Sequence, residues 1–101
     1  MNNKTNFGDI IKELRITNNL PLRKVAAILD IDTSTLSKIE KGERRASKEM
    51  VKAIALFFNQ NHEELLIAYL SDKVVYELID EGCSSEVLKV AEAKIKYIRS
   101  K

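Results

Sequence analysis

Thr33, Ser34, Ser37 and Lys38 stand in the segment DIDTSTLSKIEKGER, which runs from Asp30 to Arg44. At helical spacing this segment sorts into two faces: Leu36 and Ile39 on one side, the three hydroxyls and the lysine on the other. A helix made only to close a core would carry longer, better helix formers on its outer face. Hydroxyls near a helix N-terminus can reach base edges or phosphates, the threonine methyl can pack on a thymine methyl, and a lysine can donate to guanine O6 and N7. Cations flank this face. Arg44, Arg45 and Lys48 follow Gly42 and surround the start of the next helix, whose free amides and dipole favour a phosphate. Arg23 and Lys24 lie on the first turn of the preceding helix. That division of labour suits a double-stranded polyanion, with phosphate contacts positioning the protein and base contacts specifying the site.

The elements that hold these groups follow from the apolar period. Phe7, Ile10, Ile11 and Leu14 predict a first helix from about Asn6 to Asn18. Leu22, Val25, Ala26 and Leu29 predict a second, with Pro21 in its first turn. Asp32 is placed to cap a third helix, and Gly42 to end it through the left-handed conformation. Met50, Val51, Ile54, Ala55 and Phe58 mark a fourth, beginning near Ser47, and Asn61 with Glu64 has the form of a capping box for a fifth that carries Leu65 and Leu66. The period continues through Val74, Val75, Leu78 and Ile79 to a turn at Gly82, and a last helix spans about Ser85 to Arg99. No strand alternation is visible. The second helix, its short turn and the third have the geometry of a helix-turn-helix, whose second helix enters the major groove of DNA.

The segment FGDIIKELRITNNLPLRKVAAILDIDTSTLSKIEKGERRAS resembles the helix-turn-helix domain of the Cro and phage-repressor (XRE-like) family, over roughly Asn6 to Leu66. The strongest matches are Ile11, Leu14-Arg15, Ala26 and the run Leu36-Ser37-Lys38-Ile39-Glu40-Lys41-Gly42. The resemblance implies an all-α, five-helix domain that binds operator DNA, usually as a dimer, with the third helix reading bases. It also implies that Arg15 and Glu40 form a partly buried ion pair joining the first and third helices. The chain departs from the family pattern at Pro21 and Leu22, where the family carries a hydroxyl cap and a glutamine that touches phosphate. Either Arg23 and Lys24 take over that contact or duplex binding is weaker. Ala46 stands where a proline is common.

The expected organisation is therefore a helix-turn-helix domain over residues 1–66 and a C-terminal helical extension over residues 67–101. Charge divides in the same sense. Residues 1–60 carry eleven Lys and Arg against seven Asp and Glu, residues 61–101 six against eight. The extension holds more apolar side chains than a five-helix core needs, and Val74, Leu78, Val87, Ala91, Ile95 and Ile98 are the expected dimerisation residues. The functional expectation is a transcriptional regulator, a repressor, that occupies a palindromic operator as a homodimer. Its regulation would come from its own concentration, a protein partner, or a ligand between the tail helices. The alternative is a protein-interaction adaptor or antitoxin that keeps the scaffold without reading DNA.

Other chemistry finds no support in the sequence. There is no glycine-rich phosphate loop, nucleophile elbow or acidic metal motif, so no enzyme is expected. His62 is the sole histidine and Cys83 the sole cysteine, which argues against a metal site, a disulfide or a cofactor. Tyr69, Tyr76 and Tyr97 are expected to pack, not to stack on bases. AIALFF and LLIAYL are too short to span a bilayer, and MNNKTN lacks the apolar run of a signal peptide, so a cytoplasmic protein with no membrane association is expected.

Overall fold

The computed structural model describes residues 5–101, so Met1 to Lys4 of the MNNKTN segment lie outside the described residues. The chain forms α1 (Phe7–Thr17), α2 (Leu22–Ile28), α3 (Thr33–Glu40), α4 (Lys48–Phe58), α5 (His62–Leu78) and α6 (Ser84–Arg99). No strand occurs among the described residues, and the all-α expectation holds. The count differs: among the described residues six helices form, not five, and the fifth runs unbroken from His62 to Leu78, past the expected domain end at residue 66, with no glycine or proline to interrupt it.

Local chemistry sets the helix boundaries. The side chains of Asn6, Asp32 and Asn61 accept from the backbone N–H three residues on, at 2.8, 2.7 and 3.0 Å, and start α1, α3 and α5. Pro21 sits at the N-cap position of α2, one place before the expected first turn. Its extended ψ of 159° delivers the chain into the helix. Gly42, at φ +78°, closes α3: its N–H bonds the Ile39 carbonyl at 3.1 Å, and the next N–H bonds that of Lys38 at 2.8 Å. This pairing satisfies carbonyls the helix would otherwise leave free.

The core gathers Phe7, Ile10 and Ile11 from α1, Val25 and Ala26 from α2, Leu36 and Ile39 from α3, Val51, Ile54 and Ala55 from α4, and Leu65, Ala68 and Tyr69 from α5. Phe7 and Tyr69 meet edge to face with ring centroids 6.0 Å apart, which brings α5 onto the start of α1. Leu14, Leu22, Leu29, Met50, Phe58 and Leu66 pack around the margin. At Gly8 the backbones of α1 and α3 touch: a Cβ there would lie 2.1 Å from the Ile39 carbonyl oxygen.

The C-terminal part stands apart from this core. No residue of α6 is buried, and the radius of gyration is 15.5 Å, against about 13 Å for a compact chain of this length. No helix of the described residues is long and apolar enough to cross a membrane.

Candidate nucleic-acid interface

The outer face of α3 is built from its cap outward. Asp32 Oδ1 accepts from the Thr35 N–H at 2.7 Å and from the Ser34 hydroxyl at 3.2 Å. Those bonds, led by the Thr35 amide and helped by the charge of Arg44, hold the Asp32 carboxyl below the usual carboxylate range. With its proton directed at Asp32, Ser34 presents oxygen lone pairs outward, an arrangement suited to an amino donor on a base edge. Thr33, Ser34 and Lys38 are exposed; Ser37 is half-buried and lies at the margin of the face. Leu36 and Ile39 are buried beneath it, as the period requires.

One ion pair fixes the orientation of α3. The Arg15 Nε and Nη2 groups donate to Glu40 Oε2 and Oε1 at 2.8 and 2.9 Å, and Nη1 donates to the Leu20 carbonyl at 3.1 Å. Glu40 is the only charged residue buried among the described residues, its side chain 5 % exposed. The bonds it donates to Glu40 raise the Arg15 pKa above its ordinary value, so this guanidinium stays charged throughout the accessible pH range. The pair ties α1 to the last residue of α3.

Arg23, Lys24, Arg44, Arg45 and Lys48 are all exposed. The Ser47 hydroxyl makes no capping bond at the start of α4, so the first-turn amides there have no side-chain cap. Arg45 is not a free cation, however. Its guanidinium lies over the ring of Tyr76 at 4.3 Å from the centroid, a contact between the α3–α4 connection and α5. Leu22, in the position of the missing glutamine, is half-buried against the core and supplies no polar contact.

The tyrosines divide three ways. Tyr69 is buried and Tyr76 bears Arg45, but Tyr97 is 64 % exposed beside Lys101 and does not pack as expected, because nothing covers α6. Of the expected dimerisation residues, Val74, Val87, Ala91, Ile95 and Ile98 are exposed and Leu78 is half-buried. Exposed apolar side chains are not confined to that set: Leu56 and Phe57 on α4 and Ile67 on α5 also face outward. In an apolar run such as AIALFF every side carries a hydrophobic residue, so period alone does not mark the outer ones. No group of three or more His, Cys, Asp or Glu residues capable of holding a metal occurs among the described residues, and His62 and Cys83 are exposed.

Two structural residues escaped the sequence reading. Asp72 on α5 accepts the Phe7 N–H at 2.8 Å and so caps α1 from sixty-five residues away. Burial raises its pKa, the Phe7 bond opposes that, and the charge of Asp9 adds to it. Gly8 is the other; a glycine inside a helical pattern is itself a signal of close approach.

A comparison with curated proteins finds no match, and neither does a comparison with solved structures. The helix-turn-helix family model matches residues 11–65, more than half of the chain, and spans Arg15, all of α2 and α3, and Glu40. The exposed hydroxyl and lysine face, the ring of cations and this match lead to one assignment: the chain belongs to the helix-turn-helix family of the Cro and phage-repressor type, a family of DNA-binding regulators.

Proposed function

We propose that this protein is a sequence-specific transcriptional repressor that places α3 in the major groove of a palindromic operator as a homodimer. The observation that carries the reading is the uncovered face of Thr33, Ser34 and Lys38, with Ser37 at its edge and exposed cations on both flanks. In this reading Thr33, Ser34, Ser37 and Lys38 touch bases. Arg23 and Lys24, from α2, and Arg44, Arg45 and Lys48, around the start of α4, bind phosphates on either side. A dimer making roughly eight phosphate contacts would lose affinity with a log–log salt slope of about −7. Titrating a duplex at several salt concentrations tests this part. A slope near zero would remove the phosphate clamp, whereas Arg44→Ala should weaken binding to every sequence alike and flatten the slope by about 0.9 for each phosphate left without its cation.

The dimer is assigned to the tail. Val87, Ala91, Ile95 and Ile98 form an exposed stripe on α6, and Val74 and Leu78 extend the apolar surface onto α5. Glu86 stands near the start of α6 and Lys96 and Arg99 near its end, so two copies packed antiparallel would set opposite charges side by side. Sedimentation of the wild type at tens of micromolar should give a dimer and Ile95→Glu a monomer; a monomeric wild type excludes this interface.

One observation favours a second reading. Leu22 is turned into the domain where the family has its phosphate-touching glutamine, which suits an adaptor or antitoxin that presents α6 to another protein. Absence of duplex binding at low salt would select it.

A further inference from the structure

We propose that Tyr76 is a positioning residue for Arg45, and that α5 beyond the family-matched segment thereby belongs to the DNA-contacting apparatus. The inference rests on the DNA-binding reading above. Arg45 sits on the exposed connection between α3 and α4, where an unrestrained arginine would sample many rotamers and lose that freedom on meeting a phosphate. In this protein its guanidinium lies over the Tyr76 ring, 4.3 Å from the centroid. It has no carboxylate partner among the described residues.

The geometry of stacking decides what the contact does. With its Cζ 4.3 Å from the centroid, the guanidinium meets the ring through its centre, and a face-on packing would leave its N–H donors projecting from the edges in the guanidinium plane. A phosphate takes hydrogen bonds from those edges. Stacking and phosphate binding are therefore compatible, and the ring holds the cation in place beforehand. Two anchors make the platform rigid. Tyr69, two turns earlier on α5, is buried edge to face against Phe7, and Asp72, one turn earlier, accepts the Phe7 N–H at 2.8 Å. The family match ends at residue 65, so this platform is an addition of the extension to the matched domain.

The test is the affinity for a random-sequence duplex, followed by fluorescence anisotropy across salt, for wild type, Tyr76→Phe, Tyr76→Leu, Arg45→Gln and the double variant Arg45→Gln/Tyr76→Leu. Tyr76→Leu should lose about two- to fivefold in affinity per protomer with its salt slope unchanged, because the cation is still present but no longer held. Tyr76→Phe, which keeps the ring face, should bind as wild type. Arg45→Gln should flatten the slope by about 0.9 for each phosphate it leaves unneutralised, and adding Tyr76→Leu to it should change nothing further.

Equal losses from Tyr76→Leu in both backgrounds, a loss in Tyr76→Phe, or a gain of affinity in Tyr76→Leu would overturn the proposal. Should Tyr76→Leu fail to fold by circular dichroism, the decision passes to Tyr76→Phe and to NMR of the free protein. Upfield ring-current shifts of the Arg45 δ-methylene protons are expected in both wild type and Tyr76→Phe, and their absence overturns the proposal. Failure of the parent reading looks different: wild type would bind no duplex even at low salt, and the proposal would fall with it. Salt-dependent wild-type binding with independent Arg45 and Tyr76 effects would sink the positioning role alone.

Discussion

Gly8→Ala sets two effects of opposite sign against each other. Alanine is the better helix former, and in an exposed helix interior the exchange would gain about 1 kcal/mol. At Gly8 the added Cβ would lie 2.1 Å from the Ile39 carbonyl oxygen and 3.1 Å from its carbon, both backbone atoms of α3. An ordinary carbon–oxygen contact is about 3.3 Å, so the two helices would have to part by roughly an ångström. Overpacking of this kind costs typically about 1–3 kcal/mol. With rigid backbone on both sides the upper part of that range applies, and the net change is a loss of about 1–2 kcal/mol. At about 4–8 °C per kcal/mol for a domain of this size, the melting temperature followed by circular dichroism should fall by roughly 4–16 °C. Gly82→Ala is the control: nothing lies within 4 Å of its added Cβ, and its melting temperature should stay level or rise slightly. An unchanged or higher melting temperature in Gly8→Ala would refute the claim that backbone contact locks α1 to α3.

The Arg15–Glu40 pair should behave as a buried unit: Glu40→Leu alone strands the guanidinium and should cost about 2–4 kcal/mol, while Arg15→Met/Glu40→Leu should recover most of the loss, and equal costs for single and double variants in urea unfolding would refute the pairing. Asp72 gives a pH signature. A carboxyl whose folded pKa is raised binds its proton more tightly when folded, so its contribution to stability is largest below its ordinary pKa and falls as pH rises through the raised value. Wild type should therefore gain on Asp72→Asn as the pH is lowered from about 7 toward about 4, and a melting-temperature difference that does not vary with pH would exclude the effect. Asp32 has the opposite sign: its cap stabilises above its ordinary pKa and is lost as pH falls through the lowered one.

What could be read from the chain was what local chemistry decides. The Asp32 cap binds an amide three residues away, and Gly42 ends α3 through its own backbone angle, so both were visible in a short window. The two faces of α3 followed from spacing alone. The Asp72 cap was not visible, because its partner Phe7 is distant in sequence and a single aspartate on a helix gives no sign of what it meets. Tyr76 was legible as an aromatic but not as a seat for Arg45, since that contact exists only once α5 folds onto the α3–α4 connection. The unbroken length of α5 did leave a trace: the apolar period from Leu65 to Leu78 contains no helix-breaking residue. The expected division at residue 66 passes through that helix, and Ala68 and Tyr69 beyond it close the core. Exposure on α6 is the reverse case, an amphipathic stripe legible in the spacing that no other element of the described residues covers.

The central claim is that the outer face of α3 reads bases, and selection of bound sites from a random duplex pool, by wild type and by Lys38→Ala, addresses it directly. Wild type should enrich an inverted repeat with half-sites one helical turn apart. Lys38→Ala should lose the preference at one position of each half-site, a discrimination of about 1–3 kcal/mol, while keeping the rest. Binding that enriches no sequence at all, or a site unaltered by Lys38→Ala, would contradict the account.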